Sequence, residues 1–174
     1  RFERLNLLLN EMNVNIDPAL INENDPGYQR SGYTIDHTVT ATDSFVEYAS
    51  IPYIHATYSR SISAYNNPNS GATAVPVLKT SNNASLTEFD NSGNALENST
   101  DTTNQYYVGM FAFGQGYNAA KVFVYGTTNL TSDEYISGYG MNDVNVEFFR
   151  SSIRELTSSM STADINVATK NVDN

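Results

Sequence analysis

The chain has 174 residues, enough for one domain that buries roughly two-thirds of its unfolded surface, and its 40% apolar content excludes a disordered tail. Its formal charge of −10, from 19 acidic against 9 basic residues, disfavours phosphate backbones and anionic lipid as partners, so no nucleic acid is expected. The absence of cysteine removes disulfides, thiolate nucleophiles and cysteine-ligated zinc together. No apolar run approaches the ~20 residues that cross a bilayer. The chain opens at Arg1 without a signal peptide, which reads as an excised piece whose anchor lies elsewhere.

In chain order, Phe2, Leu5, Leu8, Leu9 and Met12 recur at helical spacing, so an amphipathic helix is expected to dock its leucines on a core. Asn13 closes it, the chain turns at Pro18, and Ala19 to Asn22 reads as a short buried strand. Asp25-Pro26-Gly27 is a turn signal, because proline presets φ and glycine accepts positive φ. Residues 28–36 read as irregular. Thr40 to Asp43 has the shape of a capping box, followed by a short helix through Phe45, Val46 and Tyr48. Ile51 to Ser63 is mostly strand, Asn66 to Gly71 a loop, and Ala72 to Thr80 a strand in which Pro76 argues for an edge or a strand start.

Residues 81–104 form a polar loop or insert, longer than the usual connection. It is either mobile, or functional, or holds a short helix near Leu86 to Phe89. Gln105 to Phe113 is the clearest strand, and Lys121 to Tyr125 reads as one covered on both faces. A short helix is expected near Asp133 to Tyr135. Val146, Phe149, Ile153, Leu156 and Met160 then mark the apolar face of a helix that starts near Asn142 or Asp143. Ile165 to Val167 ends the chain as a last strand. Strand, turn, helix, strand predicts an α/β fold, a layered sandwich with a central mixed sheet flanked by helices, over residues 1–174 as one domain.

Chemical motifs are sparse. There is no Gly-x-Ser-x-Gly elbow, and His37 and His55 are the only histidines, so a hydrolase would have to use one of these two. Asp90 to Asn94 with Glu97 and Asp101 has the look of a calcium loop, yet Gly93 stands fourth where an EF-hand needs its glycine sixth. A solvated acidic loop is the plainer reading, so neither metal nor cofactor is expected. Gly114-Gln-Gly116 precedes a strand, whereas phosphate binding needs such glycines to lead into a helix. The Asn-x-Ser/Thr triplets at Asn83, Asn98 and Asn129 reflect composition. Tyr53, Tyr58, Tyr106 and Tyr107 are candidates for a sugar-stacking platform, with ordinary strand-face packing as the alternative.

Several segments, taken in order, resemble one family. They are Leu5 to Val14 with Ala19 to Glu23, Asp36 to Thr40, Val77 to Ser81, Val122 to Gly126, Asn145 to Phe149 and Ile153 to Leu156. The order is similar to that in the extracytoplasmic domain of gliding-motility (GldG)-type auxiliary proteins of ABC transporters. In that family an acid follows the strand glycine, whereas Thr127 and Thr128 follow Gly126 here, and the insert 81–104 is longer and richer in asparagine. The resemblance implies part of a class I glutamine-amidotransferase-like fold that lacks the nucleophilic cysteine. It implies a non-catalytic domain tethered outside a bacterial membrane, touching a permease, another membrane subunit or a transported substrate. Contacts are implied at His37, Thr80, Ser81, Gly126, Thr127 and Asn145. The alternatives are a secreted or cell-surface carbohydrate-binding module and, third, a hydrolase.

Overall fold

The computed structural model describes residues 3–42, 53–90, 92–96, 103–115, 119–132 and 142–158. Helix α1 (Glu3–Asn10) leads into β1 (Val14–Glu23), β2 (Gln29–Arg30), β3 (Tyr33–Ala41), β4 (Ile54–Thr57), β5 (Arg60–Ala64), β6 (Thr73–Lys79), β7 (Ala84–Thr87), β8 (Tyr107–Phe113) and β9 (Lys121–Tyr125). A 3-10 turn (Asn129–Thr131) and helix α2 (Asn142–Thr157) follow. The nine strands form one sheet of order β2-β3-β6-β8-β5-β1-β7, with β4 branching from β3 and β9 from β8. Every pairing is antiparallel. The sheet curls into a half-barrel.

This corrects the expected α/β sandwich. Strand outweighs helix, 45% to 20%, and the sheet is antiparallel rather than mixed. Parallel neighbours need crossovers of a dozen or more residues, usually helical. Here β4 and β5 are joined by a tight turn at Tyr58 and Ser59, and the stretch near Leu86, for which a short helix is one of three readings, is strand β7, paired with β1. The amidotransferase-like sandwich falls with the same observation. Residues 28–36 are ordered as β2 and the start of β3, and Thr40 lies in β3 rather than capping a helix. The helices expected at Phe45–Tyr48 and Asp133–Tyr135, and the strand at Ile165–Val167, fall outside the described residues.

Two prolines sit inside strands, at places where a missing N–H costs little. Pro18 lies in β1 where the register against β5 shifts between Ile16 and Leu20, and Pro76 lies in β6 at a similar irregularity against β8. Pro76 is not at the start of β6, and β3 pairs with β6 only at Leu78 and Lys79, so on that side no strand residue pairs with Pro76 among the described residues.

Strand β8 is the centre of the fold, and its interior, Val108 to Ala112, is buried throughout. Met110 and Ala112 pack with Leu9, Val14, Ile16, Ile62 and Val124 on one side. Phe111 packs with Ile54, Val77, Leu78 and Phe148 on the other. The alternation of strand side chains thus splits the core into two layers. Both helices dock differently from expectation. In α1 only Leu9 goes under, at 6% exposure, while Leu7 and Leu8 stand 70% and 68% exposed. In α2 the buried face is Asn145, Phe148, Ser151 and Ser152; of the expected apolar face Phe149 at 41% and Ile153 at 46% are turned outward, while Leu156 packs against the core.

Candidate functional site

The residues implied as contacts by the family resemblance fall into two groups, in which Gly126 and Thr127 are half-buried and the other four are buried. At the seam between the β4–β5 turn, β9 and α2, Gly126 donates its N–H to the Val108 carbonyl (2.7 Å) and accepts from the Arg60 N–H (2.8 Å). A Cβ on Gly126 would lie 2.0 Å from the Arg60 carbonyl oxygen, so only glycine fits. The Thr127 hydroxyl donates to the Thr57 carbonyl (2.7 Å). Asn145 clasps β4: its Oδ1 accepts from the His55 N–H (2.9 Å), and its Nδ2 donates to the carbonyls of His55 (3.1 Å) and Leu130 (3.0 Å).

The second group surrounds a buried carboxylate that the sequence marks only as the acid ending a strand. Glu23 is fully buried and accepts from the Ser81 hydroxyl (2.6 Å), the Ser81 N–H (3.0 Å) and the Asp25 N–H (3.0 Å). Thr80 beside it donates its hydroxyl to the Ser81 carbonyl and accepts from the Tyr106 N–H. His37, also fully buried, places Nδ1 3.1 Å from the Thr34 carbonyl, which makes Nδ1 the protonated nitrogen and leaves Nε2 without a hydrogen-bond partner among the described residues. Burial lowers the His37 pKa, against the Thr34 carbonyl and the charges of Glu23 and Asp36, so the ring is neutral near pH 7.

These groups do not assemble into a catalytic constellation. His55 pairs with Thr38 across β3 and β4, so His37, one residue before Thr38, leaves the sheet on the opposite face. Among the described residues no three potential ligands gather for a metal ion. Of the calcium-like loop, Glu97 and Asp101 lie outside the described residues, and the part around Asp90 to Asn94 belongs to a hairpin. Phe89 bridges Ala95, and the Asp90 carboxylate accepts from the N–H groups of Ser92 and Asn94 and from the Asn94 side chain. Those bonds, the Asn94 side-chain one foremost, hold the Asp90 pKa below the usual carboxylate range. The tyrosines form no common platform: Tyr53 meets Tyr28 edge-on at 5.8 Å, and Tyr58 stands at the other end of β4.

Space for a ligand lies elsewhere. A half-open groove of about 780 Å³ runs between α1, the Asn15–Leu20 stretch of β1 and the hairpin around Phe89 and Asp90. Glu3 and Asn6 reach it from α1, and Arg60 from β5. None of the six implied contact residues lines it. The periodicity of α1 hid this groove, because Asn6 reads as a solvent-facing residue between leucines. No family model, curated protein or solved structure matches the chain.

Proposed function

We propose that the chain is a non-catalytic binding domain and that it receives its ligand in the groove between α1, β1 and the 88–96 hairpin. The observation that carries this reading is a separation. The ligand-sized space is lined by two carboxylates, one guanidinium, amides and apolar side chains, whereas both histidines, His37 and His55, are closed in elsewhere. A transporter-accessory setting outside the membrane, with a permease or transported substrate as partner, is the biological context we propose for it. That context rests on the order of the short segments alone, and the fold lends it nothing.

The groove is testable without knowing the setting. Asn15→Trp places a large ring in the groove from a strand position that tolerates aromatics. A ligand at 100 times its dissociation constant stabilises by about 2.7 kcal/mol, and that stabilisation is expected to vanish in the variant. Undiminished stabilisation would remove the groove reading. The transporter context predicts spanning segments beside this region in the parent gene and permease and ATPase genes next to it. A parent gene encoding a plain soluble protein would remove that part alone. A glycan-binding reading draws on the same groove through the amides of Asn6 and Asn15 and the Phe89 ring.

A further inference from the structure

The groove lies along an uncovered strand edge. Strand β7 pairs with β1 only from Leu20 to Glu23, while β5 runs along the other side of β1 from Val14 to Leu20. Among the described residues no strand pairs with β1 between Asn15 and Asp17 on the side away from β5. At Ile16 a side chain stands in for one. The Asn6 Nδ2 donates to the Ile16 carbonyl (3.0 Å), and the Ile16 N–H donates to the Asn6 Oδ1 (2.9 Å). This is the two-bond exchange of an antiparallel residue pair, made by a carboxamide in place of a peptide group. A real peptide group can take the same two bonds, and the groove beside the edge has the room for it.

Resting on the groove reading, we infer that the site takes an extended, cationic peptide segment that adds as a strand to β1, displacing the Asn6 amide. The charge argues for the cation. Glu3 and Asp90 bring two carboxylates to the groove, against one guanidinium, Arg60, which donates to the Pro18 carbonyl at 2.8 Å. The chain as a whole carries −10. The apolar wall of Ile16, Leu20 and Phe89 suits the alternate side chains of such a strand. Pro18 offers no N–H, so the two-bond exchange is made at Ile16 and the segment then runs on along the groove past Pro18 and Leu20. A glycan uses the same polar groups but has no use for the strand edge.

The probe is a blocked eight-residue peptide alternating lysine and valine. Its controls are the same peptide with alternate backbone amides methylated, a version with glutamate for lysine, and soluble cello-, malto- and chito-oligosaccharides. Titration calorimetry on the wild-type chain is expected to show binding by the lysine peptide that weakens with salt and is absent for both peptide controls. In Asn6→Ala, where the Ile16 N–H has lost its side-chain acceptor, bound peptide should restore protection of that amide from hydrogen exchange. Asn15→Trp should weaken binding at least about tenfold, and Asn6→Ala should tighten it about fivefold by removing a competing hydrogen-bonding group. The methylated control keeps the test independent of whether Asn6→Ala folds. No binding by the lysine peptide, or equal binding by the methylated one, overturns the inference. Oligosaccharide binding lost in Asn15→Trp, with no peptide binding, overturns it and keeps the groove reading. Peptide binding unchanged in Asn15→Trp overturns both.

Discussion

Around Gly126, backbone meets backbone: β9 continues into a residue that bonds to Val108 on one side and Arg60 on the other, with no space for a methyl group. At the Ile16 stretch of β1, on the far side of β5, the strand edge is met by one carboxamide and a groove of about 780 Å³. The two regions belong to one sheet and share its chemistry. In the seam, every polar side chain implied as a contact is consumed by the fold itself. At the β1 edge the fold uses the Asn6 side chain on a side where no described strand pairs. A polar residue at the end of a strand therefore says little about ligands until its partner is known, and free volume is the better guide.

The largest effect that bears on this contrast is expected at the seam. Gly126→Ala forces backbone apart and should cost about 3 kcal/mol or more, read as a lower urea midpoint. A loss under about 1 kcal/mol would show that the seam yields as easily as the open edge. Asn145→Ala should cost about 2–4 kcal/mol, since it strands the His55 N–H and two carbonyls in a buried place. Asn145→Asp recovers the acceptor but not the donor, so it should fall short of full rescue.

A third effect follows from pH. Burial lowers the pKa of His37, and burial together with the Arg30 charge lowers that of His55, with Asp36 opposing in both cases and Glu23 in the first. Folded values below the unfolded ~6.5 mean that the unfolded chain binds more protons in mild acid. The stabilisation is complete above about pH 6.5 and is lost as pH falls through the folded values, at up to about 1.4 kcal/mol per pH unit for each histidine. Denaturation midpoints that stay flat from pH 7.5 to 5 would contradict this, and His37→Gln should shallow the slope. Smallest of all, Leu7→Ser and Leu8→Ser should change stability by less than about 0.5 kcal/mol, because both side chains already face water, whereas Leu9→Ala should cost about 2 kcal/mol or more.

The strands were readable where apolar residues run on, as in Tyr107 to Phe113 and Lys121 to Tyr125. The turn at Asp25-Pro26-Gly27 was readable from its residue types. Both helices were readable as helices, but not the way they face. Periodicity assigns Phe149 and Ile153 to the core, yet α2 is oriented by polar docking: Asn145 on β4, and Ser152 on the Tyr125 hydroxyl at 2.6 Å. Fold class was lost at the polar insert, where Ala84 to Thr87 carries too few apolar residues to announce a strand and gains its order by pairing with β1. Asn6 was illegible for a similar reason, since its meaning lies in Ile16, ten residues on and in another element.

The place of β8 at the centre also bears on how the molecule comes into being. Strand β1 is made early, but its partners β5 and β7 come much later in the chain, and β5 is joined to β8 only through Ile62 and Tyr107. During synthesis, β1 must therefore wait with Ile16 unpaired until β5 has emerged, and with Leu20 to Glu23 unpaired on the β7 side until the chain as far as residue 87 emerges. Closure of so many distant pairs places refolding in the range of roughly milliseconds to seconds. Among the described edge partners of β1, Asn6 alone precedes the strand in the chain, so it is at hand throughout that interval while β5 and β7 are not.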